Sequence, residues 1–362
     1  MNRLVTYGTV DSIPFYNCSW KSSEEWWETG VKRPLLGYPV FIIGVIIELL
    51  YIPVIYIIFR TRLIRFTCYK IMTVLAVMDM SATACSSLIT GVLLIQGAVY
   101  CSYPEFIYVA GGFVLSTWCC SCAITVSLFL NRIISIACKE YSDKIEKRVA
   151  FTSMIICFCG GSTGGRTDPA DPPSWRMGHW GYVQCILNSF CYMSYINCFT
   201  PPIFFNSNIM AWLPDPLSEP EPSDEAAEWY HNITHDLNNW IYCLLMFILF
   251  SVYYILVKNL AQGQNSKTSR AIFIQCSIIC VFNTTCAVIY NALALITLAP
   301  WILVFCQLCW SVNHGIPAII YVTMNDTIRR EFKKLICGRT SHRIDDKRSS
   351  LSHMNSISQS RL

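Results

Sequence analysis

The stretch IMTVLAVMDMSATACSSLITGVLLI, residues 71–95, carries a single charged side chain, Asp79, in an otherwise apolar run. A hydrocarbon core roughly 30 Å thick takes about 20 helical residues to cross, so this run is long enough to span a membrane. An ionised carboxylate near the middle of such a span costs at least about 2.5 kcal/mol on the mildest insertion scales. Asp79 therefore needs a partner or a use.

Working outward, six further windows of the same kind appear: Tyr38–Phe59, Phe106–Asn131, Gly181–Phe205, Leu237–Val257, Ala271–Leu298 and Trp301–Met324. Glu48 and Asp79 are the only acidic or basic residues in the seven. Composition agrees, with 54% hydrophobic and 14% charged residues in 362, outside the range of ordinary soluble domains. Lipid leaves the backbone only internally bonded helices or closed barrels, and these runs lack the alternation a barrel strand needs. The fold expected is an all-α membrane protein, a seven-transmembrane helix bundle. The opening MNRLVTYGTVDSIPF has no apolar core of a cleavable signal, which leaves the first span to direct insertion.

Charge sets the expected orientation. Arg60, Arg62, Arg65 and Lys70 separate the first two windows, and Lys258, Lys267 and Arg270 the fifth and sixth, with no acid among them. Nine more Lys and Arg follow the seventh, whereas residues 206–236 hold seven acids and neither Lys nor Arg. Positive residues stay on the cytosolic side, so the N-terminus is expected outside and the C-terminus in the cytosol. The sequons at Asn17 (NCS) and Asn232 (NIT) fall outside on this topology and are expected to be glycosylated; those at Asn283 and Asn325 are expected to be silent. The organisation is then an extracellular segment 1–37, a bundle 38–324, an amphipathic stretch 325–338 and a cytosolic tail 339–362.

Residues 152–179 interrupt this plan. The stretch AFTSMIICFCGGSTGGRTDPADPPSWRMGHW, 150–180, opens with too few apolar residues to span and continues into Gly, Pro and Asp. It reads either as an irregular cytosolic insertion or as an artefact of the coding sequence, such as retained intron. Most of the twenty cysteines lie inside windows, where a small polarizable side chain packs well. Outside, the topology leaves Cys18 and Cys101, which pair in an oxidising exterior or stand as two free thiols.

Several chemistries are excluded. No Lys lies in any window to carry a retinal Schiff base, and His314 is the one histidine, too few for an intramembrane zinc hydrolase. P-loop, GxSxG, HExxH and paired CxxC motifs are absent, and Cys119 and Cys122 sit in an apolar run that favours helix packing. Neither an enzyme nor a bound cofactor is expected.

LAVMD in the second window, LFLNRIIS at the end of the third and GIPAIIYVTMNDTIRREF late in the seventh resemble a G-protein-coupled receptor. More narrowly, FYNCSW, KRPLLGYPVFIIG, CYKIMTVLAVMD, GAVYCSYPEFIYVAGG, FTPPIFFNS and HDLNNW, in order, are similar to the nematode serpentine receptor class T, a group of chemoreceptors. The resemblance covers roughly residues 15–337 apart from the insertion. The chain departs from the rhodopsin-like pattern in three places. Asn131 and Ile133 flank Arg132, no Pro lies between Ala271 and Leu298, and Asn313 and Tyr321 each stand four residues from Pro317.

The resemblance implies a chemosensory receptor that binds an external small molecule and activates a heterotrimeric G protein at the plasma membrane. Lipid is a further partner; nucleic acid is not. On this plan Asp79 faces the bundle interior, where Glu48, Ser121, Asn313 and His314 can meet it as a polar switch network; the other reading is a protonated Asp79 serving as interhelical glue. Asn131, Arg132 and Tyr321 are candidates for G-protein coupling, Arg132 reading otherwise as an anchor that snorkels to headgroups.

A ligand pocket is expected in the outer half, with Phe113, Trp118, Tyr242, Tyr290, Asn291, Gln307 and Trp310 as candidates, each also explicable by helix packing. No intramembrane cation is available there to meet an anionic ligand. TIRREFKKLICGR reads as an interfacial helix with Cys337 as a palmitoylation site, and the Ser-rich tail as a phosphorylation target or an inert terminus. The rival function is a transporter or ion channel using Glu48 and Asp79, but paired broken helices are not evident.

Overall fold

The computed structural model describes residues 2–137, 199–216, 223–260, 266–293 and 299–337. The first span is one helix, Pro34–Arg60, opened by a Pro at a position whose N–H would have no helical acceptor anyway. The second runs through an α-helix, Thr67–Thr83, a π-helical turn, Ala84–Ile89, and a last α-helix, Thr90–Gln96. Gly97 closes it at φ 77°, a left-handed backbone that glycine adopts without strain. The third, fifth and sixth spans are Pro104–Ala137, Ile233–Leu260 and Ser266–Leu293. Among the described residues four helices are long and apolar enough to cross a membrane, or five counting the bent seventh span as one.

That seventh span is not the continuous helix its window suggests. It divides into Pro300–Asn313 and Ile316–Met324, bent by 46°. Gly315 weakens the helix there, and Pro317 has no N–H to offer the carbonyl four residues back. The fourth window lies mostly outside the described residues, as do the insertion 152–179 and the tail 339–362. Its end corrects the expectation. Residues 201–203 are not helical, and Phe204–Asn206 forms a strand paired antiparallel with Ala211–Leu213. The consecutive Pro201 and Pro202 remove two donors and hold the backbone extended, which stops a helix from reaching Phe205.

The bundle is inverted relative to a water-soluble protein. On the fifth span Phe247 is 73% exposed, whereas Ser116, Thr117, Ser121 and Thr125 of the third are buried. Apolar residues face where lipid would be, and hydroxyls face neighbouring helices or bond back to their own backbone, as Ser116 does to Gly112 O at 2.6 Å. Among the described residues the six described spans contact in a ring: first with second, second with third, third with fifth, fifth with sixth, sixth with seventh, and seventh with first.

The N-terminal segment and the hairpin roof one end of the ring. A disulfide joins Cys18 to Cys101, and Trp26 Nε1 donates to Cys18 O at 2.8 Å. Tyr16 is fully buried, stacked on Tyr230 with ring centroids 5.6 Å apart and surrounded by Tyr100, Tyr108 and Phe204. Burial pushes the Tyr16 phenol well above its ordinary pKa; Arg3, whose Nη1 donates to the hydroxyl at 3.1 Å, opposes the shift. The roof sits hard against the third span: a Cβ at Gly111 would lie 1.7 Å from Ile203 O, so only glycine admits this approach.

Candidate functional site

Under the hairpin lies a pocket of about 620 Å³, part of that volume open at the mouth. Its aromatic walls include Trp118 of the third span, Trp212 of the hairpin, Tyr290 of the sixth span and Trp310 of the seventh. His235 and Asp236, in the first turn of the fifth span, supply polar edge. The indole of Trp118 donates to Asn239 Oδ1 at 2.9 Å and that of Trp212 to Thr90 Oγ1 at 2.8 Å. With those N–H groups engaged, the two residues contribute ring surface to the cavity.

One turn below Trp118 on the third span, Ser121 approaches the buried carboxylate of Asp79. His314 Nδ1 lies 3.0 Å from Asp79 Oδ1, Tyr51 Oη 3.0 Å from Asp79 Oδ2, and Ser121 Oγ 3.5 Å from Asp79 Oδ1. His314 stands where the seventh span breaks, and its freed carbonyl accepts from the Tyr51 hydroxyl at 2.6 Å. The same imidazole packs in T-shaped contact with both pocket indoles, with centroids 6.0 Å from Trp118 and 6.4 Å from Trp310. Pocket and carboxylate therefore share one intermediary, His314.

The π-helical turn makes a second tie. It frees the carbonyl of Ser86, which accepts from Gln307 Nε2 at 2.8 Å and Ser311 Oγ at 2.9 Å, fastening the second span to the seventh.

Several expected residues fall elsewhere. Glu48 does not join the Asp79 network: it is half-buried on the first span, and its buried Oε1 has no hydrogen-bond partner among the described residues. Helix register explains this. Gly44 packs on Ser87 and Tyr51 bonds Asp79, so Glu48 lies nearer the level of Thr83. Asn313 leaves the network too, donating to Asn283 Oδ1 at 2.7 Å, because the break turns its side chain toward the sixth span. Of the seven pocket candidates, Trp118, Tyr290 and Trp310 wall the cavity and Phe113, Tyr242, Asn291 and Gln307 do not. Gln307 is spent on Ser86, and Tyr242 and Asn291 are buried between helices.

Of the two sequons expected to carry glycans, only Asn232 is at odds with that expectation. Asn17 is exposed, its Oδ1 accepting from Ser19 N. Asn232 is 3% exposed: its Nδ2, the atom a glycan would occupy, donates to Pro201 O at 2.6 Å, while its Oδ1 caps the fifth span by accepting from His235 N.

At the opposite end Asn131 is buried and Arg132 half-buried late in the third span, about 21 Å along the helix from Trp118. Tyr321 is buried in the apolar cluster of that end. The helix Asp326–Ile336 follows, capped by Asn325, with Ile328 buried, Ile336 outward and Cys337 exposed.

Sequence reasoning missed Tyr51, Trp212, His235 and Asp236. The signals were present: FFNSNIMAWL is two apolar runs around a Ser-Asn turn, and HDLNNW opens the fifth span.

Residues 3–163 and 178–345 match the family described as "Serpentine type 7TM GPCR chemoreceptor Srt", and the interruption falls within the 152–179 insertion. Serpentine receptor class T-55 of Caenorhabditis elegans is 24% identical over 336 residues, covering 91% of this chain and 82% of the relative. Seven apolar windows, an inverted helix bundle and a match across most of its length agree: the chain is a multi-pass membrane protein that belongs to the Srt family of serpentine seven-transmembrane chemoreceptors.

Proposed function

We propose that this receptor binds an external small molecule in the pocket beneath the hairpin and activates a heterotrimeric G protein at its other end, in the plasma membrane with the N-terminus outside. One observation carries the reading: Trp118 and Trp310, which wall the pocket, both pack on the imidazole that bonds Asp79. A ligand that shifts either indole must move His314, and His314 cannot move without disturbing Asp79, Tyr51 and the break in the seventh span. Interiors are close-packed and respond by switching between arrangements. The lower segment Ile316–Met324, which carries Tyr321, then swings relative to Asn131 and Arg132, the groups proposed to meet the G protein. A ligand biases that switch only as far as it binds one arrangement more tightly than the other.

The transporter or channel reading needs Glu48 and Asp79 on one polar path. Asp79 is instead enclosed by Tyr51, Ser121 and His314, and no described hydrogen bond joins it to Glu48. A cell-based screen of odorant-like molecules with parallel G-protein and ion-flux readouts separates the two. Ligand-driven G-protein activation without flux is expected; flux without G-protein activation would replace this reading by the rival.

A further inference from the structure

On the reading that this pocket is the ligand site, its walls define the charge of what it takes. Three indoles and a phenol surround it, and Asp236 is the one carboxylate among its described lining residues. Aromatic faces carry negative potential and hold ammonium groups, most strongly where water is excluded. Asp236 Oδ2 pairs with the half-exposed His231 Nε2 at 2.9 Å, while Oδ1 stands 3.7 Å from His235 Nδ1, beyond hydrogen-bond reach. That leaves an anionic oxygen at the rim of an aromatic box.

Among the described residues no Lys or Arg lines the cavity. Arg3, at the same end, is committed to the Tyr16 hydroxyl and Trp229 O. Asp224, Glu225 and Glu228 stand in the short helix that precedes the fifth span. Such a field concentrates cations at the mouth and repels anions.

We infer that the pocket takes a small organic cation, its ammonium group set between the Asp236 carboxylate and the faces of Trp118, Trp212 and Trp310. A neutral occupant would cover the Asp236 rim oxygen without offering it a charge or a donor, and an anion would face both Asp236 and the ring quadrupoles.

The test uses three nearly isosteric probes on the full chain in lipid nanodiscs: choline, 3,3-dimethylbutan-1-ol and 3,3-dimethylbutyrate. Ligand-observed NMR and calorimetry should rank choline about tenfold or more ahead of the alcohol, with the carboxylate weakest. Asp236→Asn, checked for an unchanged melting temperature, should cut choline affinity about tenfold and leave the alcohol unaffected. Should that variant not fold, the wild-type ranking decides alone. Alcohol or carboxylate binding as well as choline, and losing affinity in Trp118→Leu, overturns the cation assignment and leaves the pocket standing. Failure of all three probes to bind overturns both.

Discussion

At the scale of single residues, Asp79 is the side chain around which the bundle is organised. A carboxylate buried in the span region is held by an imidazole, a phenol and a hydroxyl from three other spans. That Asp79 needed partners was legible in its apolar surroundings, and Ser121 and His314 were among those named. Glu48 in place of Tyr51 was the error. The two lie three residues apart, about 60° round the helix, and a sequence does not reveal how a helix is rotated against its neighbours.

The corrected partnership makes a prediction. In a double-mutant cycle on thermal stability, Asp79→Asn and His314→Gln should couple by about 0.5–3 kcal/mol, whereas Asp79→Asn and Glu48→Gln, sharing no partner, should add to within about 0.5 kcal/mol. Additivity in the first pair would mean that the 3.0 Å contact between His314 and Asp79 carries no energy. The sequons separate in the same way. Asn17→Gln should abolish the glycosidase mobility shift by itself, while Asn232→Gln should leave the shift and lower stability by about 1 kcal/mol through the lost helix cap. A shift that survives Asn17→Gln would place a glycan on a nitrogen the fold uses.

At the scale of elements, three interruptions matter more than the regular helices: the π-helical turn in the second span, the break at His314 and Gly315, and the hairpin Phe204–Leu213. Each releases backbone or side-chain groups that a continuous helix would keep to itself. Ser86 O goes to Gln307 and Ser311, His314 O to Tyr51, and Trp212 to the pocket. Pro317 and the Pro201–Pro202 pair were visible in the sequence. Their consequences were not, because hydropathy measures whether a run is apolar and is blind to where its hydrogen bonds stop.

The hairpin's seat on the third span is testable through Gly111. Gly111→Ala forces a methyl against the Ile203 carbonyl, a backbone atom with no rotamer to yield, and should cost about 1–3 kcal/mol or more, the range for overpacking. A lower melting temperature together with weaker pocket binding is expected. An unchanged melting temperature would show that the roof rests elsewhere.

At the scale of the whole molecule, the fold class, a serpentine seven-transmembrane bundle, followed from apolar runs matched to bilayer thickness, the most robust signal such a chain carries. The arrangement of the roof did not. It depends on residues 2–33, which hold no apolar run, and on aromatic contacts such as Tyr16 with Tyr230 between distant segments. The disulfide ties this roof to the head of the third span across 83 residues of chain. Cys18→Ser and Cys101→Ser should each destabilise the protein by about 2–4 kcal/mol, seen as a lower melting temperature that reductant reproduces in the wild type. Equal melting with and without reductant would remove the bridge from the account.

We propose that the pocket and the buried carboxylate form one device, read at the far end through the seventh span. Its most direct test sets ligand binding beside G-protein activation in surface-delivered wild-type protein and Asp79→Asn, using an agonist found in the cell-based screen. The amide preserves volume and can still accept from His314 but carries no charge. Agonist affinity should stay within about threefold of wild type, less than about 1 kcal/mol, with G-protein activation lost. Activation at the wild-type level with unchanged affinity would contradict it and reduce Asp79 to interhelical glue.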